Sequence, residues 1–133
     1  MKYSTFQLPV FKDERGPLCT IEWSALPFPP KRAYFIYEVK GMRGAHAHKK
    51  EKEVFVCMRG NFTARIHDGK SWKIFKMTKP GQALYNAHMV WHEFTKFSKN
   101  GIMLAISSTP YRGKNEYVLD FEQFKILCKK KSS

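Results

Sequence analysis

The sequence predicts an all-β protein, a small antiparallel jelly roll closed by a short C-terminal helix. Three observations predict it. Apolar residues alternate with period two through most of the chain, as in half-buried strands. Turn-forming groups recur at short intervals: Gly60-Asn61, Asp68-Gly69, Lys79-Pro80-Gly81 and Lys99-Asn100-Gly101. The period changes to a helical one only near the end, where Phe121, Phe124 and Leu127-Cys128 fall on one face of Asp120 to Lys129.

In order along the chain, Arg32 to Val39 (RAYFIYEV) alternates so that Ala33, Phe35, Tyr37 and Val39 share an apolar face, expected to point inward. Glu53 to Arg59 forms the next strand and turns at Gly60-Asn61 into Asn61 to His67. Asp68-Gly69 makes a second hairpin into Ser71 to Met77. Gln82 to Asn86, Val90 to Phe97 and Ile102 to Ser107 complete the run. Frequent short strands of this kind close best as a double-sheet or barrel fold. A small jelly roll protects its edges by sharing a strand with a second copy, so a homodimer is expected.

Residues 1–133 read as a single domain, without internal repeat or linker. Eleven Phe, six Tyr and three Trp argue against disorder. No apolar run is long enough to span a membrane, and the first residues lack the apolar stretch of a cleaved signal. Cys19, Cys57 and Cys128 form no CxxC pair, which fits a reducing cytoplasm better than a disulfide framework. A formal charge of +13 favours anionic ligands. It also permits a nucleic-acid-binding β module, though no recognition motif supports a polymer partner.

The most informative segment is Arg43-Gly44-Ala45-His46-Ala47-His48. Residues two apart on a strand share a face, about 6.6 Å apart, so His46 and His48 project together. Glu53 follows, Gly60 ends its strand, and His92 arrives much later within Val90-Trp91-His92-Glu93-Phe94. This order resembles the cupin pattern, in which three histidines and a glutamate often hold a metal.

A closer resemblance covers most of the chain. Asp13 to Leu18, Pro27-Phe28, Lys31 to Tyr37, RGAHAHKK and VWHEF together resemble the cupin-type nucleotide-sugar 3,4-ketoisomerases. The resemblance implies a dimeric jelly roll acting on dTDP-4-keto-6-deoxyglucose without a metal or other cofactor. It further implies supply of dTDP-3-amino sugars for bacterial surface polysaccharides, upstream of an aminotransferase. His48 is then the first choice for the base at C3, with His46 beside it, and Tyr37 carries a proton between the C3 and C4 oxygens. Departures are visible too: Glu53 stands where the family often has Gln, and His88 where proline is common.

Histidine suits both proton transfers, because its ordinary pKa of about 6.5 lies near working pH. Arg15 and Arg43 are placed to grip a nucleotide diphosphate, and Tyr85, Trp91 and His92 complete the expected substrate site. Cys57 reads as core and His67 as an exposed hairpin residue. The alternative is a metal-dependent cupin enzyme, with His46, His48, Glu53 and His92 as ligands to a divalent transition metal.

Overall fold

A computed structural model describes residues 1–132, with side chains through Lys130. Its strands are β1 (Tyr3–Gln7), β2 (Val10–Asp13), β3 (Gly16–Cys19), β4 (Arg32–Tyr37), β5 (Arg43–His48) and β6 (Glu53–Arg59). Then follow β7 (Phe62–His67), β8 (Trp72–Met77), β9 (Gln82–Asn86), β10 (Trp91–Thr95), β11 (Ile102–Ser107), β12 (Tyr117–Val118) and the helix α1 (Phe121–Ser132). Two five-stranded antiparallel sheets form, in the orders β1-β9-β6-β11-β4 and β12-β5-β10-β7-β8, with β2-β3 as a separate hairpin. This is the expected cupin-like jelly roll.

The sheets face each other across Ile36, Phe55, Phe62, Ile66, Leu84, Phe94 and Met103. Cys57 lies in this layer, fully buried. Apolar alternation supplies one inward side chain every second residue from each sheet, which is what two packed β layers need. At the β7–β8 turn, Asp68 Oδ1 accepts the Lys70 and Ser71 amides at 2.8 and 3.0 Å, fixing the hairpin register. A second, outer core forms where α1 covers β5 and β10. There Phe124 is fully buried among Ala47, Met89, Trp91 and Val118. Asp120 Oδ2 caps the helix by accepting the Gln123 amide at 2.9 Å.

Two expectations are corrected here. In β4 the apolar face points outward: Phe35 and Tyr37 are 59% and 58% exposed and stack on each other. The inward face carries Arg32, Tyr34 and Ile36. Alternation defines two faces but not which one meets the core, and here the inner face has to be partly polar because it lines a cleft. His67 is also not an exposed hairpin residue. It is buried among Trp72, Phe121 and Phe124, and its Nδ1 accepts the Gly69 amide at 3.0 Å. The helix that covers it is remote in sequence, so a local reading misses it.

Candidate active site

β5 pairs with β10 so that His92 lies opposite His46, and the register slips by one residue between His92 and Glu93. The slip is a β-bulge in β5, with Gly44 and Ala45 both at positive φ (85° and 65°). It lets His46 and His48 approach His92. The ring centres stand 5.0 Å (His46–His48), 4.7 Å (His46–His92) and 5.6 Å (His48–His92) apart. Tyr117 of β12 packs on the first two, at 4.6 and 4.8 Å.

These rings floor a cleft of about 560 Å³ whose walls include Arg32, Tyr34, Arg43 and Tyr111. Behind it lies a buried polar network. Tyr34 Oη donates to Glu53 Oε2 at 2.8 Å, and Glu53 Oε1 is 2.9 Å from His48 Nε2. On the other side of the same ring, Glu51 Oε2 is 3.4 Å from His48 Nδ1. Arg32 and the Thr109 hydroxyl, at 3.2 and 2.6 Å, both reach Glu51 Oε1.

Burial, and then the neighbouring His48, pushes His46 down to about 4. His92, deeper still, is held well below the ordinary histidine range by burial first and then by His46 and His48. Both are therefore neutral at neutral pH, and His46, the more open of the two, is a proton acceptor facing the cleft. Burial, reinforced by Glu53, raises Tyr34, so its phenol is protonated at neutral pH.

A four-ligand metal centre does not assemble. His46, His48 and His92 bring ligand atoms within 4.8 Å of one another, but Glu53 groups instead with His48 and Glu51. One Glu53 oxygen faces His48 and the other accepts from Tyr34. Both nitrogens of His48 face carboxylates. Of the four ligands the alternative reading named, the three histidines are gathered and Glu53 is not.

The family model described as FdtA: WxcM-like, C-terminal matches residues 1–129, almost the whole chain. The chain belongs to the WxcM-like, C-terminal (FdtA) family.

Relatives of this WxcM-like protein fit the same picture. It is 36% identical over 116 residues to a TDP-4-oxo-6-deoxy-alpha-D-glucose-3,4-oxoisomerase of Aneurinibacillus thermoaerophilus, covering 85% of this chain and 83% of the relative. A crystal structure of a 3,4-ketoisomerase from Helicobacter canadensis superposes with a TM-score of 0.90 at 32% identity, covering 97% and 98% of the two chains. A mutant of the 3,4-ketoisomerase QdtA from Thermoanaerobacterium thermosaccharolyticum, solved with TDP-4-keto-6-deoxyglucose, gives 0.91 at 27% identity over 97% and 95%.

Of the residues singled out from sequence, the WxcM-like fold gathers His46, His48, His92 and Arg43 around the cleft. It does not bring the others there. Tyr37 lies on the outer sheet face. Trp91, one position from His92, points the opposite way and packs under α1, its Nε1 donating to Glu93 at 2.9 Å. Tyr85 is buried in a separate core beside Phe28, one residue out of phase with Leu84. Arg15 sits at the exposed tip of the β2–β3 hairpin, paired with Asp13.

Sequence reasoning missed Tyr34, Arg32, Glu51, Tyr111 and Tyr117. The signal for the first two was present: on a strand with an inward polar face, Arg32 and Tyr34 alternate with Ile36. Nothing local marks Tyr111 or Tyr117, whose loop and two-residue strand are placed by the sheet they join.

Proposed function

We propose that this protein is a sugar 3,4-ketoisomerase that converts a TDP-linked 4-keto-6-deoxyglucose to the 3-keto-6-deoxyhexose by acid–base catalysis without a metal. The observation that carries the reading is the cluster of His46, His48 and His92 with Tyr34 in one cleft, in a chain 36% identical to a TDP-sugar 3,4-oxoisomerase.

Moving the ketone from C4 to C3 takes four proton movements. A base removes the C3 proton, and its electron pair forms the C3=C4 bond while the C4 oxygen gains a proton. The enediol then loses its C3 hydroxyl proton as C4 is protonated. His48, which lines the cleft and is held between Glu51 and Glu53, is the base at C3, with the neutral His46 beside it. Tyr34, a phenol inside the cleft, takes the role expected of Tyr37: it gives its proton to the C4 oxygen and receives the one leaving the C3 oxygen. Arg43 offers a cation to the diphosphate.

A homodimer and a cytoplasmic setting complete the reading. Exposed Phe11, Leu18, Phe35 and Tyr37 supply the apolar area a second copy would cover. Cys19, Cys57 and Cys128 form no disulfide among the described residues, and no helix among the described residues is long and apolar enough to cross a membrane. The product would feed an aminotransferase making TDP-3-amino sugars for surface polysaccharide.

The decisive experiment is NMR in D2O of the protein with enzymatically generated TDP-4-keto-6-deoxyglucose in EDTA. Appearance of a 3-keto sugar with deuterium exchanged at the reacting carbons, lost in His48→Asn, is expected. No turnover with or without added metal refutes the reaction on this substrate.

A further inference from the structure

The four backbone amides that follow β5 all donate to one distant loop. In the turn before β6, Lys49 N donates to the Glu116 carbonyl at 2.9 Å. Lys50 N and Glu51 N both donate to a single carboxylate oxygen, Glu116 Oε1, at 2.6 and 2.7 Å. Lys52 N donates to Ser108 Oγ at 2.8 Å, and Ser108 N donates back to the Lys52 carbonyl at 2.9 Å. The loop between β11 and β12 thus clasps a turn that lies 56 to 66 residues earlier in the chain. Glu51 and Glu116 are buried, so these amides need protein acceptors. Two successive N–H groups make a small concavity for an anion, and the Glu116 carboxylate fills it.

The clasp sets both sides of His48. Behind the ring, the Thr109 hydroxyl of the same loop donates to Glu51 Oε1 at 2.6 Å, while Glu51 Oε2 lies 3.4 Å from His48 Nδ1. The Thr109 carbonyl also accepts from Arg32, on the cleft wall, at 2.9 Å. In front, Tyr117 follows Glu116 directly, pairs opposite His48 in β12 and lays its ring on His46 and His48. Glu116 does not itself line the cleft. Its route to the chemistry runs through Glu51 and Tyr117.

We propose that Glu116 is a positioning residue for the ketoisomerase site: its carboxylate fixes the turn after β5, so that Glu51 meets His48 from behind while Tyr117 covers the histidine pair in front. The proposal deepens the ketoisomerase reading, and its kinetic half rests on it. What matters at this position is the reach of the side chain to two amides, more than its charge. A base displaced by about 1 Å loses on the order of a hundredfold in rate.

Two conservative variants separate reach from charge. Glu116→Asp keeps the carboxylate but draws it back by one methylene. Glu116→Gln keeps the length and an acceptor oxygen but removes the charge. Glu116→Asp is expected to lower kcat about ten- to a hundredfold and Glu116→Gln to keep it within about threefold, each with KM within about threefold. Because Glu116 acts partly through Glu51, the Glu116→Asp/Glu51→Gln double variant should be slowed by less than the product of the two single effects. A Glu116→Gln variant slower than Glu116→Asp overturns the proposal, as does a fully multiplicative double variant.

Hydrogen exchange followed by NMR reads the clasp without substrate. The Lys50 and Glu51 amides should be protected in the wild type and in Glu116→Gln, and exchange at least about tenfold faster in Glu116→Asp. The His46 and His48 ring-proton signals should shift in Glu116→Asp as the Tyr117 ring moves. Unprotected Lys50 and Glu51 amides in the wild type overturn the clasp whether or not Glu116→Asp folds. If the wild type converts no TDP-4-keto-6-deoxyglucose, the ketoisomerase reading falls, while the exchange rates still decide whether Glu116 holds the turn.

Discussion

A side-chain carbon at Gly44 would lie 2.9 Å from the carbonyl oxygen of His92. The histidine cluster depends on that close approach, since Gly44 opens the bulge that sets His46 opposite His92. Gly44→Ala is expected to cost about 2 kcal/mol and to lower kcat at least about tenfold as β5 and β10 separate. Gly41→Ala is the comparison, because Gly41 shares the positive φ (81°) but has open space around it. Urea unfolding and steady-state kinetics on both variants check this. Equal effects at the two positions would mean that the contact with β10 does not govern the site.

Tyr34 and Tyr37 lie on opposite faces of β4, which gives a clean pair of variants. Tyr34→Phe should reduce kcat on the order of 10²–10⁴-fold, the range for a lost proton carrier. Tyr37→Phe should leave kcat within about twofold. Single-turnover rates with the 4-keto sugar distinguish them, and the reverse result would restore the outer tyrosine to the mechanism.

Stability should fall as the solution is acidified from near-neutral pH. His46 titrates near 4 in the folded protein against about 6.5 when unfolded. Between those values the unfolded chain binds the extra proton, so acid favours unfolding. The contribution of His46 is present above the unfolded value and is lost as pH falls toward 4, on the order of 3 kcal/mol. His92 shifts in the same direction. Urea midpoints at several pH values in this window should drop more steeply for the wild type than for His46→Asn; parallel curves would contradict the assignment.

Trp91→Phe should destabilise without slowing the chemistry. The indole N–H donates to Glu93, which Arg65 also holds at 2.7 Å, so its loss weakens a partly buried network by about 1–2 kcal/mol. A lower melting temperature with unchanged KM is the expected result. A raised KM would instead put Trp91 in contact with substrate.

Removing metal should change nothing. Protein passed over chelating resin should retain full activity with less than about one-tenth equivalent of transition metal by elemental analysis, because Glu53 faces His48 and Tyr34 instead of joining the three histidines as a fourth ligand. Activity that vanishes and returns with one added ion would reverse this.

Most of the architecture was legible in the sequence because turns and period-two alternation are local signals. β6 and β7 meet at Gly60-Asn61, β7 ends at Asp68-Gly69, β9 starts directly after Lys79-Pro80-Gly81 and β11 directly after Lys99-Asn100-Gly101. Which face of a strand points inward is not local, and Tyr37, Tyr85 and Trp91 all failed on it. Each is one position out of phase with a residue that reaches the cleft or the main core: Ile36, Leu84 and His92. An aromatic stripe such as Phe35–Tyr37 looks like core whether it meets its own protein or awaits another surface. The histidines were found because their pairing is written in two-residue spacing. Glu51 was passed over because it lies in the turn after β5, aimed by Glu116 from a loop some 65 residues away.

The burial of acids has a consequence for how the molecule behaves in a crude extract. Glu51, Glu53, Glu93 and Glu116 are all buried, so more than a third of the chain's eleven acidic residues are turned away from water while nearly all its lysines face it. Seen from solution, the surface is more basic than its formal charge of +13 suggests. The protein should therefore adhere to cation exchangers and carry cellular RNA through early purification, releasing it as salt rises. That stickiness would be a by-product of stabilising the catalytic floor with carboxylates, and a salt wash before any binding assay separates it from recognition of the nucleotide sugar.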